Sequence, residues 1–210
     1  MTALNEILIF LFAAYLIGSV PTAFLFGKFL KNVDIRKAGS GNVGATNAFR
    51  VLGPKIGIVV MSIDILKGFI PVYASQRFII GENRVAWLLL VGLAAVLGHM
   101  FTIFLNFKGG KGVATTAGVF LAMAPRAMAF CIILWSVLVG LFKMASVGSI
   151  ASAVALPLAI GYLEKADPFL VYVSVVISAL VIFMHRKNIK NLLDGKELKI
   201  TQNKSRDGEK

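Results

Sequence analysis

Apolar residues fall in long uninterrupted blocks, and polar residues gather between them. Residues 4–27 are apolar apart from Asn5, Glu6 and a few small polar side chains, with Pro21 placed to bend the later part. Further blocks cover 56–76, interrupted by Asp64, Lys67 and Pro71, then 85–105, 113–142, 150–163 and 169–184. Runs approaching 20 apolar residues predict membrane-crossing helices, whereas a membrane β-barrel predicts short segments of alternating polarity. The 113–142 block is broken only at Pro125 and Arg126 and reads as one long helix or two shorter ones.

Charge decides between those two. Splitting the block gives seven spans, with seventeen Lys/Arg on the side of the first loop and the tail, four on the other side, and Lys67 within a span. A single helix gives six spans and places either the basic first loop or the basic tail outside, against the excess of cytoplasmic cations seen in membrane proteins. The fold class expected is therefore an all-α integral membrane protein of seven transmembrane helices, N-terminus outside and C-terminus cytoplasmic. The fourth helix, lying between Gly112 and Pro125, reaches only about 18 Å, short of the ~30 Å hydrocarbon core. Its glycine-rich start is expected to lie recessed, where irregular backbone is tolerated only against protein or a polar cavity.

Composition agrees with this class: 58% of the 210 residues are hydrophobic and mean hydropathy is +0.82. A net charge of +12 would point to nucleic acid in a soluble protein, but here the cations sit between apolar blocks and report orientation. The sole cysteine, Cys131, lies in an apolar run and reads as core. The first block lacks a basic start and reads as a mature span, not a cleaved leader.

Two glycine-rich segments carry the candidate chemistry. FKGGKGVAT (107–115) sets Gly109, Gly110, Lys111 and Gly112 directly before a helix that includes Thr115. Free backbone N–H groups, a helix N-terminus and a lysine together favour an anion, phosphate above all. It is not a nucleotide P-loop, since Gly112 follows Lys111 where Ser or Thr would hold a metal. GSGNVGATN (39–47) offers Ser40, Gly41, Asn42, Thr46 and Asn47, with Arg50 one helical turn past Thr46. A turn with an N-cap explains one or two of these residues, and Arg50 is either a phosphate fork or an orientation charge. Asp64 and Lys67, spaced i,i+3, read as a neutralising pair inside the membrane. His99 closes one span, and His185 with Asn188 opens the tail. No metal-ligand spacing and no paired carboxylates appear, so neither a metal nor another cofactor is expected. An enzyme of this composition works by positioning and charge stabilisation. A transporter for phosphate or an organophosphate uses similar features, but the chain shows no two related halves.

GSGNVGATN, GHMFTIFLNFKGGKGVAT, KMASVGSI and MHRKNIKNLLDGKE, in this order and spacing, resemble the bacterial acyl-phosphate:glycerol-3-phosphate acyltransferase family. The resemblance covers essentially the whole membrane chain. It implies a seven-helix enzyme of the bacterial cytoplasmic (inner) membrane, its active site facing the cytoplasm. Such an enzyme moves a fatty acyl group from acyl phosphate to the 1-hydroxyl of glycerol 3-phosphate, without coenzyme A or acyl carrier protein as direct donor and without nucleic acid as a partner. Carried over, it implies catalytic roles for Lys111, Arg50, Ser40 and His185. Substrate-binding roles fall to Gly41, Asn42, Thr46, Asn47, Gly109, Gly110, Gly112, Thr115, Ser146, Ser149 and Asn188. The hydroxyl proton is left to His185 or to the substrate's own phosphate. The domain expected is residues 1–190, followed by a polar basic tail, 191–210, that extends into solvent and carries no role.

Overall fold

The computed structural model describes residues 4–165 and 167–201, and the remainder of the expected tail, 202–210, lies outside the described residues. Every regular element is helical among them. The helices are α1 (Leu4–Ser19), α2 (Thr22–Lys31), α3 (Ala45–Leu52), α4 (Pro54–Ser75), α5 (Arg84–Met100), α6 (Val113–Met123), α7 (Pro125–Phe142), α8 (Ala145–Leu163), α9 (Pro168–Met184) and α10 (Arg186–Leu193). Five helical stretches are long and apolar enough to cross a membrane, or six if α9 and α10, bent by 57°, form one span. In that count α1 and α2 act as one stretch, while α6 is a shorter apolar helix of 11 residues.

Pro21 breaks the first span instead of merely bending it. Proline has no N–H to continue the ladder, and the chain leaves helical geometry between Ser19 and Thr22. The carbonyls released there find side-chain partners: Thr102 Oγ1 donates to Ser19 O and Lys67 Nζ donates to Val20 O. Lys67 Nζ also lies 2.7 Å from Asp64 Oδ1, which accepts a further bond from Thr22 Oγ1 at 3.1 Å. The buried Asp64–Lys67 pair on α4 therefore both neutralises itself and caps the broken helix, the condition under which a break at membrane depth is tolerated.

Small residues set the helix spacing. A Cβ on Gly18 of α1 would stand 2.1 Å from Ala95 O, and one on Gly98 of α5 2.2 Å from Tyr15 O, so α1 and α5 touch backbone to backbone. Gly68 of α4 and Gly118 of α6 repeat the arrangement against Thr115 O at 2.0 Å and Ile65 O at 1.9 Å. Lipid offers no hydrophobic drive between helices, so close backbone approach and dispersion carry such contacts. The buried core, with Leu88, Val96, Val119, Phe120, Ile160 and Ile177, joins α4–α6 to α8 and α9. Large apolar side chains such as Phe12, Leu158 and Tyr172 face outward, as a lipid-facing surface requires.

Two expectations differ. The helix of the 150–163 block begins earlier than that block: Ser146 and Ser149 stand on the first turns of α8, because Met144 in extended backbone starts the helix at Ala145. The start of the tail does not project into solvent. α10 ends in a Schellman turn, Lys196 N–H donating to Asn191 O at 2.7 Å and Gly195 N–H to Leu192 O at 3.2 Å. Gly195 takes the left-handed φ of +66° that this reversal demands. The chain then folds back, and Ile200 N–H donates to Lys143 O at 2.7 Å.

Candidate active site

Between α3, α4, α6, α7, α8 and the α9–α10 junction lies a cavity of about 300 Å³. Its lining combines polar residues, among them Ser40, Thr46, Arg50, Lys111, Ser146 and Asn188, with a larger apolar surface that includes Ile65, Met128, Cys131, Ile132, Trp135 and Leu156. Of the fifteen residues given catalytic or substrate-binding roles from the sequence, eleven line it: Ser40, Asn42, Thr46, Asn47, Arg50, Lys111, Gly112, Ser146, Ser149, His185 and Asn188. Gly41, Gly109, Gly110 and Thr115 do not.

The first glycine segment folds around Asn47. Its Oδ1 accepts Ser40 N–H at 2.8 Å, and its Nδ2 donates to Ile35 O and Ala38 O, both at 3.1 Å. Asn47 is 1% exposed, so its amide is occupied in shaping the loop and leaves little for a ligand. Asn42 Oδ1 likewise accepts Gly44 N–H at 3.0 Å just before α3. Ser40 Oγ makes no hydrogen bond to the described chain and stands free at the cavity edge. Gly41 serves the turn, its N–H donating to Ala38 O at 3.0 Å.

The second segment works differently from expectation. Gly109 N–H donates to Met100 O and Gly110 N–H to His99 O, each at 3.0 Å. These donors satisfy the open carbonyl end of α5 and are not turned toward an anion. Both glycines exist for close approach, since a Cβ on Gly109 would lie 2.1 Å from His99 O. What reaches the cavity is Lys111, followed by Gly112 at φ +81° as the cap of α6. The unpaired N–H groups of the first turn of α6 then add their positive end beside the amine. Thr115 does not line the cavity and Thr116 does, and the buried Oγ1 of each makes no hydrogen bond among the described residues. The helical step of about 100° per residue separates the two.

A network links the returning tail to these residues. Lys111 Nζ donates to Asn188 Oδ1 at 2.6 Å, Asn188 Nδ2 donates to Glu197 Oε1 at 2.7 Å, and Ser146 Oγ donates to the same oxygen at 2.8 Å. Arg50 holds the strap from the other side, through Nε to Lys199 O at 3.0 Å and Nη2 to Leu198 O at 2.9 Å, with Nη1 making no hydrogen bond among the described residues. Burial lowers the Lys111 amine from 10.5 to about 8, Arg50 adds to the shift and Glu197 opposes it. Burial also lowers Arg50, again against Glu197, yet a guanidinium stays cationic at any working pH. The polar network thus sets two cations, Lys111 and Arg50, against the Glu197 carboxylate, while the Asp64 carboxylate on the same wall is paired with Lys67, a balance suited to dianionic guests. Ser149 Oγ donates to Ala145 O at 2.8 Å and accepts Trp135 Nε1–H at 3.1 Å, so it orients an indole of the apolar surface. His185 Nδ1 lies 2.8 Å from Val181 O. A carbonyl only accepts, so Nδ1 carries a proton; burial, with Lys111 nearby, lowers the ring from 6.5 to about 4, which leaves it neutral with Nε2 bare.

Glu197, Trp135 and Thr116 were not singled out in the sequence. Gly195 at the end of a helical pattern signals a reversal, which was the available cue that Glu197 returns to the body. Trp135 carries no cue beyond its place in an apolar block.

Residues 8–195 match the family model described as glycerol-3-phosphate acyltransferase. Relatives of that name from Trichlorobacter lovleyi and Geobacter sulfurreducens are 46% and 45% identical, covering 89% and 92% of this chain and 93% and 97% of their own. The fold is similar to the crystal structure of PlsY (YgiH), an integral membrane glycerol 3-phosphate acyltransferase, in its glycerol 3-phosphate form. The TM-score is 0.85 at 39% identity, over 92% of this chain and 95% of that one. The lysophosphatidic acid form of PlsY gives a TM-score of 0.80 over the same shares. A family model that takes in nearly every described helix, and relatives this similar over their whole length, lead to one assignment: the chain belongs to the glycerol-3-phosphate acyltransferase family.

Proposed function

We propose that this protein transfers a fatty acyl group from acyl phosphate to the 1-hydroxyl of glycerol 3-phosphate, giving lysophosphatidic acid and inorganic phosphate. The observation that carries this reading is one cavity whose lining brings two cations, Lys111 and Arg50, together with an extensive apolar surface. Both substrates bear a phosphate and one bears a long chain, and PlsY is described in forms with glycerol 3-phosphate and lysophosphatidic acid. In the reaction the 1-hydroxyl oxygen attacks the acyl carbonyl carbon and the carbon–oxygen bond to phosphate breaks. The phosphate leaves with that electron pair. The hydroxyl proton goes to an oxygen of the departing phosphate or to His185 Nε2. Lys111, Arg50 and the first N–H groups of α6 hold the phosphates and stabilise the charge that gathers on the leaving group. Ser40 and Asn188 orient the acceptor, and Ser146 joins Asn188 in fixing Glu197 beneath the amine.

The same reading places the enzyme in the bacterial cytoplasmic membrane with seven crossings, N-terminus outside, and the cavity open to the cytoplasm. Its support is the bias of seventeen Lys/Arg against four between the two sides, and an α6 of 11 residues that spans only ~16 Å and so starts below the surface. Incubating the purified protein with acyl phosphate and labelled glycerol 3-phosphate, with no coenzyme A, tests the reaction. Labelled lysophosphatidic acid is the expected product, and its absence from folded protein would sink the reading. Substituting His185→Gln separates the two proton routes: turnover that persists with unchanged substrate affinity favours the phosphate oxygen, and abolished turnover favours the ring.

A further inference from the structure

His99 touches neither the cations nor the returning strap, yet it is 8% exposed, sits on the cavity wall and is penned on three sides. On one side stands the Asp64–Lys67 pair, with Asp64 Oδ1 3.9 Å from His99 Nδ1. On the second is Gly110, where a Cβ would lie 2.1 Å from His99 Nε2. On the third is its own helix end, fixed to α1 by Tyr15 Oη donating to Phe101 O at 2.8 Å and by Thr102 donating to Ser19 O. A buried imidazole so confined cannot swing aside, so the residue seated on it takes its height from the ring. That residue, Gly110, directly precedes Lys111.

We propose that His99 is a positioning residue for Lys111: its imidazole, backed by the Asp64–Lys67 pair, is the shelf on which Gly110 rests and which sets how far Lys111 extends into the cavity. The proposal rests on the acyl-transfer reading of this cavity. The absence of a side chain at 110 is then a requirement of the ring beneath it and not of an anion above it, since the Gly110 N–H is already taken by His99 O. The pair on α4 links the shelf to the break at Pro21, so the first span, the shelf and the lysine form one mechanical unit.

A double-substitution cycle tests this, read as kcat/KM for glycerol 3-phosphate with acyl phosphate as donor. Gly110→Ala drives a methyl into the ring and lifts the loop, and His99→Ala removes the shelf; each is expected to lose ~10²-fold, the scale of a displacement of about 1 Å in a positioned group. The combination His99→Ala/Gly110→Ala is expected to be no worse than the poorer single variant, because the methyl then occupies the space the ring has left. His99→Gln, which keeps reach and polarity, is expected to recover most of the loss. Losses that multiply in the double variant, or His99→Ala within about twofold of wild type, would overturn the positioning role while leaving the reaction intact. If His99→Ala does not accumulate as folded protein, His99→Leu takes its place in the cycle; failure of both to fold assigns His99 to stability alone and overturns the proposal. A wild-type protein that makes no product overturns instead the acyl-transfer reading.

Discussion

The two glycine-rich segments look alike in composition and serve opposite ends. In residues 39–47 the polar side chains fold the loop: Asn47 binds three backbone groups and Asn42 a fourth, leaving Ser40 and Thr46 to the cavity. In residues 109–112 the backbone itself is consumed, Gly109 and Gly110 closing the end of α5 so that only Lys111 projects. The first is a shaped wall and the second is a stem for one charge. Glycines before a helix therefore do not by themselves make an anion cradle; where their N–H groups point decides it.

Substitution can break this contrast. Lys111→Ala removes the whole contribution of the second segment and is expected to lower kcat/KM by ~10²–10³-fold, as for loss of a charge-stabilising contact. Arg50→Ala should lose ~10²-fold, because the strap carbonyls it holds are freed as well. Near-normal steady-state rates would return both cations to the role of orientation signals. In the first segment the comparable lesion is one of stability: Asn47→Ala strands buried backbone groups and should cost about 2–4 kcal/mol, read as a drop in thermal midpoint of the detergent-solubilised protein. An unshifted midpoint would mean that the loop is shaped by something other than this amide.

Titration gives a smaller effect. With Lys111 held near 8, the cationic amine is present below that pH and lost above it, so kcat/KM for glycerol 3-phosphate is expected to fall as pH rises through about 8. Lys111→Arg should abolish that alkaline limb, since a guanidinium does not deprotonate in this range; a limb that stays in place assigns it to another group. The smallest effect is reserved for Thr115. Its buried hydroxyl, like that of Thr116, has no partner among the described residues, but unlike Thr116 it does not line the cavity, so Thr115→Val should leave activity within about twofold and stability unchanged or improved. Thr116→Val, facing the cavity, should do more.

Much of the fold was legible because its causes are local to the chain. Apolar blocks dictated helices, Pro125 split 113–142 into α6 and α7, and the i,i+3 spacing of Asp64 and Lys67 predicted their pairing. The candidate residues were legible as types, and Lys111, Arg50, Ser40, His185 and Asn188 do converge on one cavity. The register within α6 was not, because the sequence runs equally well through Thr115 and Thr116 until the helix is rotated against α4 by Gly68 and Gly118.

By itself, then, the sequence determined that this chain is a bundle of membrane helices interrupted by cationic, glycine-rich breaks, because hydrophobicity, proline and charge act over short stretches. Only the tertiary structure decided what the breaks contact. Gly109 and Gly110 lie against α5, Lys67 caps a helix broken 46 residues earlier, and Glu197 returns from the tail to sit beneath Lys111 and Asn188. Such partners are chosen by where unsatisfied carbonyls and unpaired charges meet in space, and a buried polar group must meet its partner wherever in the chain that partner lies.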